Sequence, residues 1–367
     1  MQITLRREDL LKPLGFVAAV AERRQTLPIL SNVLLRYRQG RLTLTGTDLE
    51  VEIQVVVSAD GREDSECTLP AKKLLDICRA LPAESTLEIK LEKGKALIKS
   101  GRSRFSLLTL QASEFPSIET SEWEWGLTIP QDKLSRLLQK TQFCMAQQDV
   151  RYYLNGLLLE VTAGKLDAVA TDGHRMALGE IALDHGVEGD RQGIVPRKGV
   201  LELTRFLKED SAEEVELKGS ANHFRVVAKD LIFTTKLIDG RFPDYHKVIP
   251  AGQQIAVRVA RTLFRESLAR VAILSNEKYR GVRLVLSDGL LRLNAHNPEQ
   301  EEAHEELRVE YHGEEFEIGF NVTYLMEAAG ALDSEEVELG LTDSNSSCLL
   351  RTPGDSWIQY VVMPMRL

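Results

Sequence analysis

The segment Ile3-Thr-Leu-Arg-Arg-Glu-Asp-Leu10-Leu-Lys-Pro-Leu14 returns as Leu127-Thr-Ile-Pro-Gln-Asp-Lys-Leu134-Ser-Arg-Leu-Leu138 and again as Val257-Arg-Val-Ala-Arg-Thr-Leu-Phe264-Arg-Glu-Ser-Leu268. Apolar residues keep register at 3/127/257, 5/129/259, 10/134/264 and 14/138/268. The first two sets alternate as on a strand, and the last two are four apart as on one helix face. Further on, Gly40-Arg-Leu-Thr-Leu-Thr-Gly-Thr-Asp48, Gly164-Lys-Leu-Asp-Ala-Val-Ala-Thr-Asp172 and Gly289-Leu-Leu-Arg-Leu-Asn-Ala-His-Asn297 each place a turn glycine before an alternating strand. A second helix is expected after Pro70, Pro196 and Asn321, since proline commonly opens a helix. The strings Glu114-Phe-Pro-Ser and Arg241-Phe-Pro-Asp close the first two copies. A period of about 124 residues, present three times, predicts an α+β chain of three tandem like domains at 1–124, 125–251 and 252–367.

The 367 residues exceed what one core organises, and 43% hydrophobic with 28% charged residues is a globular balance. No stretch approaches the roughly 20 apolar residues of a bilayer span. Charge at Arg6, Arg7, Glu8 and Asp9 stands where a secretory signal needs its apolar core, so a soluble cytoplasmic protein with no membrane partner is expected. Cys67, Cys78, Cys144 and Cys348 form no CxxC pair and read as buried thiols. The net charge of −9 alone argues against a protein that coats nucleic acid. Its distribution argues otherwise. The six expected helices, 6–24, 72–80, 131–140, 197–208, 258–270 and 321–331, carry +2, +2, +2, +3, +3 and −1, a total of +11, leaving −20 elsewhere. Ordinary solvated helix faces would be basic too; the alternative is a set of equivalent helices facing a polyanion.

Catalytic motifs are missing: the sequence holds no phosphate loop, dinucleotide turn or nucleophile elbow. His304-Glu-Glu-Leu-Arg308 lacks the second histidine of a zinc helix, so no metal site and no cofactor are expected. His296, His304 and His312 lie in a glutamate-rich stretch and read as solvated surface. Asp172 and His174 could pair as acid and base in a hydrolase, yet the equivalent Thr47-Asp-Leu-Glu lacks the histidine. A turn in which Asp172 bonds the local backbone fits better. The tract Gln147-Gln-Asp-Val-Arg-Tyr-Tyr-Leu154-Asn-Gly combines amides, arginine and two tyrosines, suited either to phosphates and exposed bases or to a structural turn. The end, Tyr360-Val-Val-Met-Pro-Met-Arg-Leu367, reads either as a closing strand or as one side of an adaptable pocket for apolar peptide anchors.

On these residues the chain resembles the bacterial DNA polymerase III beta subunit family, the replicative sliding clamps. The likeness is carried by Thr26-Leu-Pro-Ile-Leu-Ser-Asn, Leu44-Thr-Gly-Thr-Asp-Leu-Glu, Gly101-Arg-Ser-Arg-Phe, Gln148-Asp-Val-Arg-Tyr-Tyr-Leu-Asn-Gly and Ala170-Thr-Asp-Gly-His-Arg. It continues in Val195-Pro-Arg-Lys-Gly, Gly240-Arg-Phe-Pro-Asp-Tyr, Ile273-Leu-Ser-Asn-Glu-Lys, Asn297-Pro-Glu-Gln-Glu-Glu-Ala and the C-terminal string. The resemblance implies a non-catalytic head-to-tail homodimer, closed into a ring whose basic helices face duplex DNA. The third repeat's acidic second helix would make that lining uneven.

Carried over by position, DNA contact falls on Arg24, Lys72, Gln148, Tyr152 and Tyr153. A pocket for short peptides of the replicative polymerase, the clamp loader, other polymerases and repair proteins falls on Leu154, Thr171, Gly173, His174, Arg175, Met176, Pro243, Val248, Ser347, Val361, Val362, Met363, Pro364, Met365, Arg366 and Leu367. Gln147, Met176, His246 and Lys247 depart from commoner family choices and bear on peptide preference. The dimer seam is expected to join basic and apolar Arg102, Arg104, Phe105 and Leu107 to Ile273, Leu274 and the acidic Glu299, Glu301 and Glu302, because a head-to-tail seam brings unlike surfaces together.

Overall fold

The computed structural model describes residues 1–21, 27–118, 122–207, 209, 211–250, 252 and 254–366. Six helices lie among them: α1 Arg7–Val20, α2 Ala71–Ala80, α3 Gln131–Thr141, α4 Arg197–Phe206, α5 Arg261–Ala272 and α6 Val322–Ala331. Each repeat supplies two helices and a set of antiparallel strands, the α+β organisation expected. The repeat positions are core positions. Ile3, Leu127 and Val257 are at most 7% exposed, and Leu10, Leu134 and Phe264 are fully buried. Leu14, Leu138 and Leu268 are buried as well, as are Leu74, Val200 and Leu325 in the second helices. What recurs in the sequence is the apolar face each helix lays on its sheet, the term that dominates folding.

Two compact units divide the chain: 1–135 with 198–237, and 136–197 with 238–367. The first holds a five-stranded sheet ending in Ser103–Leu108 and an eight-stranded sheet. Four strands of the latter come from the central repeat and four from the first, joined where Leu231–Lys236 pairs with Val51–Ser58. The second unit holds a four-stranded sheet with Glu302–Arg308 at one edge, and its own eight-stranded sheet. There the central repeat meets the third where Arg175–Ala182 pairs with Ile358–Val362.

Register is the same in every repeat. The ladders run Ile3–Ile89–Ile98–Phe105 in the first, Leu127–Leu217–Val226–Phe233 in the second and Val257–Leu339–Leu350–Tyr360 in the third. Phe105, Phe233 and Tyr360 are therefore equivalent. Across the repeat boundaries Phe233 faces Ile53 and Tyr360 faces Ala177. The pairs Gly46–Ile53, Ala170–Ala177 and Ala295–Ala303 make Ala303 the third-repeat equivalent of Ile53 and Ala177.

Two helix starts need correction, those expected at Arg6, which ends the strand Gln2–Arg6, and at Arg258. Arg258 belongs to the strand Ile255–Ala260, where its side chain bonds Glu338 at 3.2 Å, and α5 starts three residues later. The prolines stand just before the second helices: Pro70 caps α2, and Pro196 ends the strand Arg191–Pro196. Over the observed bounds the helices carry 0, +2, +2, +2, +2 and −1, a total of +7 rather than +11. The difference comes from Arg258 and Arg6, which lie on strands, and from Glu22, Arg23, Arg24 and Lys208, which lie outside the described residues. Helix charge still exceeds that of the remainder, which carries −16.

Candidate functional site

A cavity of about 240 Å³ opens in the second unit, lined by Arg151, Tyr153, Leu154, Thr171, Gly173, Arg175, Met176, Pro243, Val248, Val361 and Met363. Its floor is the buried cluster containing Leu154, Met176 and Val361. Exposed Pro243, Val248 and Met363 form its rim. Apolar lining with a few polar groups is the composition that anchors side chains of a ligand.

The strand order builds it. Thr171 ends one strand and Arg175 begins the next, and the turn between them is set by Asp172. Its Oδ1 accepts from the backbone N–H of His174 at 2.9 Å and of Arg175 at 3.0 Å, while its Oδ2 accepts from Arg175 Nε at 3.1 Å. Asp48 does the same in the first repeat, accepting from the N–H groups of Glu50 and Val51 at 2.9 and 2.7 Å. That repetition supports the turn reading over the hydrolase. His174 stacks on Tyr324 with ring centroids 6.5 Å apart. Gly173 sits at φ +86°, a backbone conformation that favours glycine, and a Cβ there would displace the Arg151 guanidinium 2.8 Å away.

Arg175 ties the site together. Its guanidinium bonds Asp172, Glu327 and the Phe143 carbonyl, and lies 4.6 Å from the Tyr324 ring centroid and 5.3 Å from that of Phe143. A planar cation with several fixed donors can hold all these at once. The C-terminal segment is pinned by Met363 N to the His174 carbonyl and Met365 N to the Gly319 carbonyl, both 2.9 Å.

Of the residues expected in the pocket, Leu154, Thr171, Gly173, Arg175, Met176, Pro243, Val248, Val361 and Met363 line this cavity. His174, Ser347, Val362 and Pro364 do not. Val362 is 1% exposed and spends its position in the sheet opposite Arg175 and Cys348. Met365 and Arg366 line a separate cavity of about 280 Å³ with Asn276, Tyr279, Gly281, Asn294 and His296. Leu367 lies outside the described residues. Arg151 and Tyr153 line the pocket without having been expected there; tyrosine beside a buried leucine was the available signal.

Among the expected DNA contacts, Lys72 is exposed on α2, and Gln148 and Tyr152 are exposed on the loop before Leu154, with Tyr152 57% accessible. Tyr153 is half-buried and turned into the pocket, its ring edge-on to Tyr152. Arg24 lies outside the described residues. Arg151 is engaged by Asp149 through two bonds of 2.9 and 3.0 Å, which hold that carboxyl down at about 2. Asn155 clamps the loop by bonding both backbone groups of Asp149 at 2.9 Å.

The expected seam residues are accessible. Arg102 and Arg104 are exposed beside half-buried Phe105 and Leu107. Ile273 is 76% exposed and shares a concave surface of about 460 Å³ with Glu299 and Glu301; Leu274 is half-buried and Glu302 exposed. His304 lies on the strand Glu302–Arg308, not on a helix, and no group of three metal-ligating side chains that could hold a metal ion occurs among the described residues. None of the described helices is long and apolar enough to cross a membrane.

The chain matches the DNA polymerase III beta subunit throughout: its N-terminal domain over residues 1–119, its central domain over 128–244 and its C-terminal domain over 246–366. It is 52% identical to the beta sliding clamp of Pseudomonas aeruginosa and 47% identical to that of Escherichia coli, over the full length of each. A solved structure of the Pseudomonas aeruginosa sliding clamp bound to griselimycin aligns over all of both chains at 52% identity with a TM-score of 0.97. Caulobacter crescentus pol III beta aligns as completely at 38% identity and a TM-score of 0.94.

Proposed function

The chain belongs to the DNA polymerase III beta subunit family, the sliding clamps, and from that premise we propose that two copies close head to tail around duplex DNA and tether the replication machinery to it. The domains of each copy divide at 124/125 and 251/252. Like its family, the chain is a processivity subunit and not a catalyst.

One observation carries the ring. Two repeat boundaries are sealed by the same antiparallel ladder, with Phe233 on Ile53 and Tyr360 on Ala177. Phe105 and Ala303 are the equivalents of these partners, and they lie on Ser103–Leu108 and Glu302–Arg308, each at the end of its sheet. An unpaired sheet edge is a template for another strand. A second copy offers the complement, placing Phe105 opposite Ala303, Arg104 opposite His304 and Ser106 opposite Glu302. Ile273 and Leu274 supply the apolar centre, Glu302 comes diagonally beside Arg104, and the acids at 299 and 301 add to the field that guides the approach of the basic edge at 102 and 104.

DNA is held by its charge and by enclosure, through the basic helices, Lys72, Gln148 and Tyr152, with Arg24 assigned there by family likeness. Short peptides of the polymerase, the clamp loader and repair proteins dock in the cavity between Leu154 and Met363, and griselimycin, to which the Pseudomonas relative is bound in its solved structure, should bind this chain in that cavity. The protein works in the cytoplasm. Sedimentation tests the assembly: the 41.2 kDa chain should run at twice its mass, and Ile273→Ala with Leu274→Ala should give folded monomers. A double variant that remained dimeric at low concentration would place the seam elsewhere.

A further inference from the structure

Pro243 and Val248 form one wall of the peptide pocket on a segment with little structure of its own, a single 3-10 turn at Tyr245–Lys247. Its internal bonds, Lys247 N to the Asp244 carbonyl at 3.3 Å and Val248 N to the Tyr245 carbonyl at 3.0 Å, give it shape but no attachment. Phe242 and Tyr245 bury their rings in the cluster beneath the pocket, together with Leu154, Met176 and Val361. Tyr245 adds a polar tie. Its hydroxyl donates to Glu160 Oε2 at 2.6 Å and lies 3.3 Å from Asp167 Oδ2.

The acceptors are unusual. Glu160, Asp167 and Glu180 stand directly opposite one another on three adjacent strands. Like charges opposed in a ladder repel. Asp167 is 1% exposed; Lys165 reaches its Oδ2 at 2.8 Å, and its Oδ1 has no hydrogen-bond partner among the described residues. Lys165 also pairs with Glu180 at 2.9 Å, and the His246 ring lies 4.1 Å from that of Tyr245. A phenol has one proton, so Tyr245 can donate to only one of its two carboxylates. A proton on Asp167 resolves the conflict: Asp167 donates to the Tyr245 oxygen, and Tyr245 donates to Glu160. Burial raises the Asp167 carboxyl above its ordinary value of 3.8, against the pull of Lys165.

We propose that Tyr245 is a positioning residue for the peptide pocket, its hydroxyl latching the 243–248 wall to Glu160 and Asp167, and that this latch makes ligand affinity depend on pH. The inference rests on the pocket being the peptide site. The direction follows from the shared proton. With Asp167 protonated the latch is complete; as pH climbs above 3.8 and through the raised value, the donated bond is lost and a second charge faces Glu160. Affinity then falls.

Calorimetric titration of the full-length dimer with griselimycin from pH 4.5 to 8 tests this. Tyr245→Phe should keep the fold, since the ring stays, and weaken binding by about three- to tenfold, the span of one net hydrogen bond. Asp167→Asn, which removes the titrating charge from the ladder, should flatten the pH profile. If the wild type does not bind griselimycin, the pocket reading falls and the latch with it. If the wild type binds and Tyr245→Phe binds equally well, the latch alone is overturned. Should Tyr245→Phe not fold, the Asp167→Asn profile decides, and an unflattened slope overturns the proposal.

Discussion

Phe233 stands directly opposite Ile53, in a ladder that joins the central repeat to the first without a break in the sheet. The same arrangement recurs at the next boundary with Tyr360 and Ala177, so the rule for joining repeats is written into the chain twice. Extended to a third joint, it predicts the register between two copies. Cysteines at Arg104→Cys and His304→Cys should cross-link spontaneously into a covalent dimer, because directly opposed residues bring Cβ atoms within disulfide reach. Arg104→Cys with Arg308→Cys, four residues out of register, should not. Electrophoresis without reductant reads the result.

Arg175→Ala should lower stability by about 2 kcal/mol, since it strips the Phe143 carbonyl of a donor and leaves Asp172 without its side-chain partner. Arg175→Lys should recover only part of this, because an ammonium cannot span the same partners in one plane. Denaturant melts of the three proteins check the order.

The Asp149 carboxyl should titrate near 2 by NMR, against an ordinary 3.8, because Arg151 bonds it through side chain and backbone. A lowered value means that the loop gains from this pair fully above pH 4 and loses it as pH falls through about 2. The loop should therefore keep one conformation across the whole neutral range. Arg151→Ala should return the carboxyl toward 3.8.

DNA binding should be blind to sequence and steeply salt-dependent, since the basic helices carry no base-reading motif. No base-pair change should alter affinity by more than about 1 kcal/mol. Fluorescence anisotropy across salt concentrations and unrelated duplexes measures both; a preferred site surviving high salt would contradict it.

The triplication was legible because burial repeats: Ile3, Leu127 and Val257 must all be apolar to face a core. The turn role of Asp172 was legible from Asp48, its equivalent. Other features were only partly so. The alternation of Val257 and Val259 already places Arg258 on a strand, so a helix starting at 258 conflicted with it, and only the sheet shows that its side chain pairs with Glu338. The one local signal that separates Tyr153, which faces the pocket, from Tyr152, which faces solvent, is its place beside buried Leu154. The Tyr245 contacts with Glu160 and Asp167 join residues some 80 positions apart, beyond any periodic pattern. Which strands meet across a repeat boundary is likewise a property of the assembled sheet.

The most direct test of enclosure is retention on DNA. The dimer, placed on a nicked circular plasmid by the clamp loader and ATP, should stay with the DNA through gel filtration in moderate salt. Cutting the plasmid once should release it, because a ring held by topology slides off a free end. Protein that remains bound to the linear product as firmly as to the circle would contradict the account.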